Sequence, residues 1–177
     1  MTIREGVLPN GVARPSFRRF WLALYRRQVE VAEAILGRAM EAWPARRIYH
    51  HLFGPALGLS GSLFTRGAIR YDDEHFVTYH TSRLMRRVRR SFVPPSADGP
   101  LAVVGGVGQE SHLIGLRMVC DFLEAANWRI QWVPTHERGV YRDAVARHRP
   151  AAVLLSVGQR VGVVPARRIV WELRRQG

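Results

Sequence analysis

The chain has 177 residues, 47% of them hydrophobic, with 16 glycines and 10 prolines, which suits one or two small folded domains with a true core. One cysteine, Cys120, excludes a disulfide framework, and no run of about 18 apolar residues offers a membrane span. The opening MTIREGVLPNGVARPS lacks the apolar stretch of a signal peptide, so a cytoplasmic address is expected. All 27 basic residues are arginines, giving a net charge of +13; 16 face 7 acids over residues 1–97 and 11 face 7 over 98–177. The excess in the first half favours an anionic partner there, although a charge run is as often a solvated face.

The first half reads as helical. Phe17, Phe20, Trp21, Leu24, Val31, Ile35, Leu36 and Met40 recur at helical spacing, with Arg18, Arg19, Arg26 and Arg27 off that stripe, predicting one helix that Pro44 closes. A second helical stretch starts near Ala45 with Ile48 and Leu52 on one face; Gly54, Pro55 and Gly58 should kink or divide it, and Gly67 ends it. The segment from Asp72 to Phe92 begins with acids that suit a helix N-terminus and places Phe76, Tyr79, Leu84 and Val88 on one side. Together these make a bundle of about four helices.

The stretch SFVPPSADGP (91–100) can carry neither helix nor strand, and from it onward the texture alternates. LAVVGGVG, RIQWV and AAVLLSVG read as strands, each followed by a helical segment, which implies a parallel sheet with right-handed crossovers. The fold class is therefore α+α/β. A helical bundle spans 15–92, a linker 93–99, and a Rossmann-like (flavodoxin-like) parallel-sheet domain 100–177. That domain reads as incomplete, because three strands leave an exposed edge that a partner edge would have to cover.

Ligands of open parallel sheets bind at the carboxyl ends of the strands, so function is sought in the loop from Gly105 to Gly115. A dinucleotide fingerprint fits Gly106 and Gly108, but Ser111 replaces the third glycine, and the second strand ends in Gln131 and Trp132 rather than an acid. The competing pattern is Glu110-x-His112-x-x-Gly115. An imidazole on a loop can ligate a metal, a carboxylate two residues earlier can fix its tautomer, and a glycine beyond it admits close approach of a flat ligand. A lone loop histidine beside an acid would ordinarily read as a surface residue near a helix start.

With this loop after the first strand, the sequence resembles the cobalamin-binding domains of corrinoid methyltransferase proteins, mutases and cobalamin-dependent regulators. The resemblance implies that His112 is the lower axial ligand of cobalt, Glu110 its hydrogen-bonding partner, and Ser156 in LLSVG the counterpart of the family's Ser-x-Leu serine, with Gly158 where the leucine stands. Gly105, Gly106 and Gly108 would line the loop under the corrin. The helical half adds Phe64-x9-Glu74-His75, which is similar to the Trp-x9-Glu-His signature of CarH-type light-sensing regulators, with phenylalanine for tryptophan and Thr65 where a cobalt-capturing histidine can follow. By that resemblance Phe64, Glu74 and His75 cover the upper face of the corrin.

The implied cofactor is a cobalamin: adenosylcobalamin, hydroxocobalamin or methylcobalamin. The implied role is a light-responsive regulator resembling AerR-type antirepressors, acting through a protein partner such as a transcriptional regulator, or through nucleic acid. The alternatives are a corrinoid protein of a methyltransferase system, the one enzymatic setting among these readings, and a protein that binds no corrinoid and works through its arginine surface. That surface is Arg83, Arg86, Arg87, Arg89 and Arg90, five arginines within eight residues. His50, His51, His80, His136 and His148 match no role, and Cys120 reads as a small buried apolar residue.

Overall fold

In the computed structural model, residues 16–108, 110, 113–133 and 139–175 are described. The first helical stretch is two helices rather than the single one expected: α1 (Phe17–Tyr25) and α2 (Val29–Ala42). Arg27, between them, takes φ of 62°, a left-handed conformation that a side chain adopts at a cost of roughly 1 kcal/mol. Its guanidinium repays that strain by donating to Asp73 Oδ1 at 2.9 Å and lying 4.0 Å above the Phe76 ring. Sequence spacing hid the break because Leu24 and Val31 are seven residues apart, a multiple that an unbroken helix would also show.

The second stretch keeps a continuous helical path: α3 (Ala45–Ile48), a π-helical turn (Tyr49–Phe53) and α4 (Gly54–Thr65). Pro55 has no N–H to give the preceding turn and its ring crowds it, so the widened turn lies immediately upstream. Gly67 closes the segment at φ of 68°. Next, α5 (Tyr71–Arg89) carries Asp72, Asp73 and Glu74 in its first turn and Arg86, Arg87 and Arg89 in its last, complementing the helix dipole at both ends.

The face α5 buries differs from the expectation. Val77, Thr81, Leu84, Met85 and Val88 point inward, whereas Tyr79 is exposed and Phe76 half-buried beneath Arg27. At 100° per residue Tyr79 lies far round from Val77, so Phe76 and Tyr79 belong to a different stripe. The core they surround is built of Phe20, Leu24, Leu36, Tyr49, Leu52 and Phe53, with Phe53 packed against Phe20 at 5.8 Å and Tyr49 at 5.4 Å between ring centres.

The chain divides into two compact units between Ser91 and Phe92. In the second, β1 (Leu101–Gly106), β2 (Arg129–Trp132) and β3 (Ala152–Ser156) form a parallel sheet in the order β2-β1-β3. Because β2 and β3 lie on opposite sides of β1, right-handed crossovers send their helices to opposite faces. Thus α6 (Ile114–Ala125) covers one face with Leu116 and Cys120 against Ala102 and Val104. On the other, α7 (Val140–His148) brings Tyr141 and Ala144, and α8 (Val163–Arg174) brings Ile169 and Leu173, against Val103 and its neighbours. Central β1 is buried almost throughout, while the outer edge of β3 pairs with no strand among the described residues.

Residues 93–100 form neither helix nor strand, but their second half is fastened to this sheet. Ser96 N–H donates to Asn127 Oδ1 at 2.7 Å, and Arg129 donates from Nε to the Gly99 carbonyl at 2.8 Å. A Cβ at Gly99 would collide with the Asn127 carbonyl, so the approach requires glycine. Among the described residues no helix is long and apolar enough to cross a membrane.

Asp73 joins α1 to α5, accepting from Arg27 and, at 3.3 Å, from the Arg70 N–H at the helix start. Asp73→Ala is expected to cost the helical unit about 1–2 kcal/mol, read as a lower urea midpoint by circular dichroism with the spectrum of the folded state retained.

Candidate functional site

At the carboxyl end of β1 the chain turns through Gly105, Gly106, Val107 and Gly108. Gly105 is demanded by packing: a Cβ there would stand 2.6 Å from the Tyr141 hydroxyl and 2.9 Å from a Val133 methyl. The buried Tyr141 hydroxyl donates to the Gly106 carbonyl at 2.8 Å, locking α7 to the start of the loop. Burial pushes that phenol up to about 12, because its anion would face apolar surroundings. Gly108 adopts φ of 65°, which favours glycine, and among the described residues no atom stands near the place of its missing side chain.

Two residues on, Glu110 is buried, and its carboxylate accepts a hydrogen bond from the Gly158 N–H just past β3. A Cβ on Gly158 would press on that carboxylate, with its nearest oxygen at 2.5 Å and its carbon at 3.0 Å. Gly158 is therefore matched to the acid that faces it. Ser156 pairs with Gly106 in the sheet register, and its carbonyl accepts the Val107 N–H at 3.0 Å. Gly105, Gly106, Gly108, Glu110 and Ser156 are thus gathered at one sheet end. His112 lies outside the described residues, as do Gln109, Ser111 and His136. Gly115 sits exposed in the first turn of α6, and among the described residues no atom occupies the space beside it.

The helical unit carries a second constellation. His75 Nδ1 is 3.0 Å from Glu74 Oε2, and Thr78 donates to Glu74 Oε1 at 2.7 Å, so a carboxylate held by a hydroxyl faces Nδ1 of the ring. Tyr71 stacks on His75 at 3.8 Å between ring centres, and Phe64, from the end of α4, meets Tyr71 edge-on at 6.3 Å. Tyr71 and Tyr79 are 59% and 60% exposed, and with His75 they form an i, i+4, i+8 ladder on the outer face of α5. Phe64, Glu74 and His75 are therefore neighbours, as a shared site needs.

Two participants escaped sequence reasoning. Tyr71 falls on the helical spacing from His75, a signal that was present; Tyr141 is visible only once Gly105 is seen to need room. His80, half-buried, has its pKa lowered by burial and by Arg83 and Arg27, against an opposing Glu33. Its folded state resists protonation, so it withdraws stability as pH falls below 6.5. His50, His51 and His148 are exposed, and Cys120 is buried. Among the described residues no three metal-ligating side chains cluster.

No protein-family profile matches the sequence, and no curated protein matches it. Solved structures do. The monomethylamine corrinoid protein of Methanosarcina barkeri superposes with a TM-score of 0.73 at 16% identity, over 90% of this chain and 77% of that one. A cobalamin-binding protein from Desulfitobacterium hafniense DCB-2 gives a TM-score of 0.51 at 14% identity, over 92% and 78%. The chain accordingly has their fold, a helical region with a Rossmann-like parallel-sheet region.

Tyr141 gives the loop a pH signature. The unfolded phenol ionises near 10 and the folded one near 12, so this stabilisation is complete below pH 10 and is lost as pH rises towards 12. Tyr141→Phe is expected to lower stability by about 1 kcal/mol at neutral pH, through the unanswered Gly106 carbonyl, and to flatten the alkaline loss in urea midpoints measured from pH 9 to 11.5.

Proposed function

We propose that the chain binds a cobalamin at the carboxyl end of its sheet and acts as a regulatory protein whose state follows that cofactor. One observation carries the reading: Glu110, buried and tethered to Gly158, stands two residues before His112 in a glycine-built loop, in the fold that corrinoid proteins share. The residues fit the group. Among the described residues nothing fills the space beside Gly108 and Gly115, which suits the approach of a broad flat ligand, and a corrin brings its own ring nitrogens, so one protein imidazole is enough. His112 would hold the cobalt from below, Glu110 would orient that imidazole, and Gly105, Gly106 and Ser156 would form the floor.

When bound, the cofactor supplies a cobalt–carbon bond that light or a nucleophile can break. Within the helical unit, Phe64, Glu74 and His75, with Tyr71, make an aromatic surface beside a held imidazole, the residue types that the resemblance to CarH-type regulators implies. This favours the light-responsive regulator, working through a macromolecular partner. The second reading, a methyl carrier serving a methyltransferase, is favoured by the likeness to the monomethylamine corrinoid protein.

The test is retention of adenosylcobalamin, methylcobalamin or hydroxocobalamin on the full chain after desalting in the dark, with absorption spectra before and after illumination. Retention with a base-off, histidine-ligated spectrum that His112→Ala abolishes is the expected result, with adenosylcobalamin held at least about tenfold more tightly than methylcobalamin and changed by light. Equal retention with methyl transfer to a partner enzyme would support the carrier; no retention of any form would overturn cobalamin binding.

A further inference from the structure

The last two turns of α5 separate the five clustered arginines into two groups. At 100° per residue Arg83, Arg86, Arg87 and Arg90 fall within an arc of about 100°, opposite the buried Leu84, Met85 and Val88, whereas Arg89 points away from them. All four are exposed, and none of their guanidinium groups has a carboxylate partner among the described residues. They span about 10 Å of helix axis. Guanidinium remains charged at any physiological pH, and the helix C-terminus favours cations, so four full charges are held in a row by a helix whose other side is core.

A row of like charges with no internal acid is matched by a partner whose negative charges are themselves in a row. An acidic protein would also need an apolar centre to dock against, since protein interfaces concentrate aliphatic and aromatic side chains at their core. No aliphatic side chain interrupts this stripe. Exposed Tyr79, one turn before Arg83, and the half-buried ring of His80 border it, and interfaces that are strongly positive with an occasional stacking ring are those of nucleic acids. We infer that Arg83, Arg86, Arg87 and Arg90 form a phosphate-backbone contact for nucleic acid that does not read base sequence, an inference that stands whether or not the chain takes a cobalamin.

The experiment is binding of the full chain to a fluorescent 30-base-pair DNA duplex of arbitrary sequence, titrated over a series of salt concentrations. Four phosphate contacts predict a contribution of about −3.6 to the slope of log K against log salt. The fourfold Arg→Gln variant of the stripe should bind at least tenfold more weakly, with a slope shallower by about 3 units. The fourfold Arg→Lys variant should keep the slope, and circular dichroism should show both folded. An equal charge change placed on α8, at Arg167, Arg168, Arg174 and Arg175, controls for net charge and should leave the slope within about one unit of the original. Equal losses from both sets would mean diffuse charge rather than a site, and stronger stripe-dependent binding to poly-glutamate than to DNA would mean an acidic protein; either overturns the inference.

Discussion

A carboxylate withdrawn from water must be met by donors, and at the carboxyl end of this sheet Glu110 meets the backbone N–H of Gly158. That contact joins the loop leaving β1 to the loop leaving β3, two segments 48 residues apart in sequence. It also constrains composition, because the carboxylate occupies the space a Cβ at position 158 would need. The Glu110 and Gly158 pair therefore behaves as one unit: a larger residue at 158 would displace the acid. Tyr141 secures the other side by holding the Gly106 carbonyl, so the segment is held at Gly106 and again at Glu110.

The helical unit depends on a comparable junction. Asp73 accepts from Arg27 and from the N–H of Arg70 just before α5, so the strained link between α1 and α2 and the start of α5 are set by one carboxylate. With α5 so started, its inner and outer faces follow from helical geometry alone. The inner face takes Val77, Leu84, Met85 and Val88, and the outer face takes the rings of Tyr71, His75 and Tyr79 followed by the arginine row. The Glu74–His75 pair is thereby presented outward at a fixed angle, which a freely rotating surface histidine would not be.

Much of this order is written in local pattern. The β/α alternation after residue 100 and the closing glycine at 67 are periodicity and backbone conformation, and both are visible in a string of letters. What stayed hidden is non-local. The break at Arg27 depends on an acid 46 residues away, the exposure of Tyr79 on which of two overlapping stripes the bundle buries, and the meaning of Gly158 on a side chain 48 residues earlier. Within the candidate site the glycines and Glu110 could be marked from sequence. Tyr141 could not, since its reason is a cavity of one missing methyl group at Gly105.

The two outer features of α5 invite the thought that one controls the other, and physical scale limits how. His75 and Arg90 are 15 residues apart, about 22 Å along a helix, against a screening length of about 8 Å in physiological salt. A change of charge near His75 would therefore be almost unfelt at the end of the arginine row. Coupling would have to be mechanical, by moving α5 as a rigid rod, and a rod whose start is fixed by Asp73 and whose inner face is packed core moves only with its bundle. A ligand that altered the environment of the ring ladder without displacing the bundle would leave the arginine row as it was. One that displaced the bundle would be linked to phosphate binding by equal and reciprocal changes in affinity.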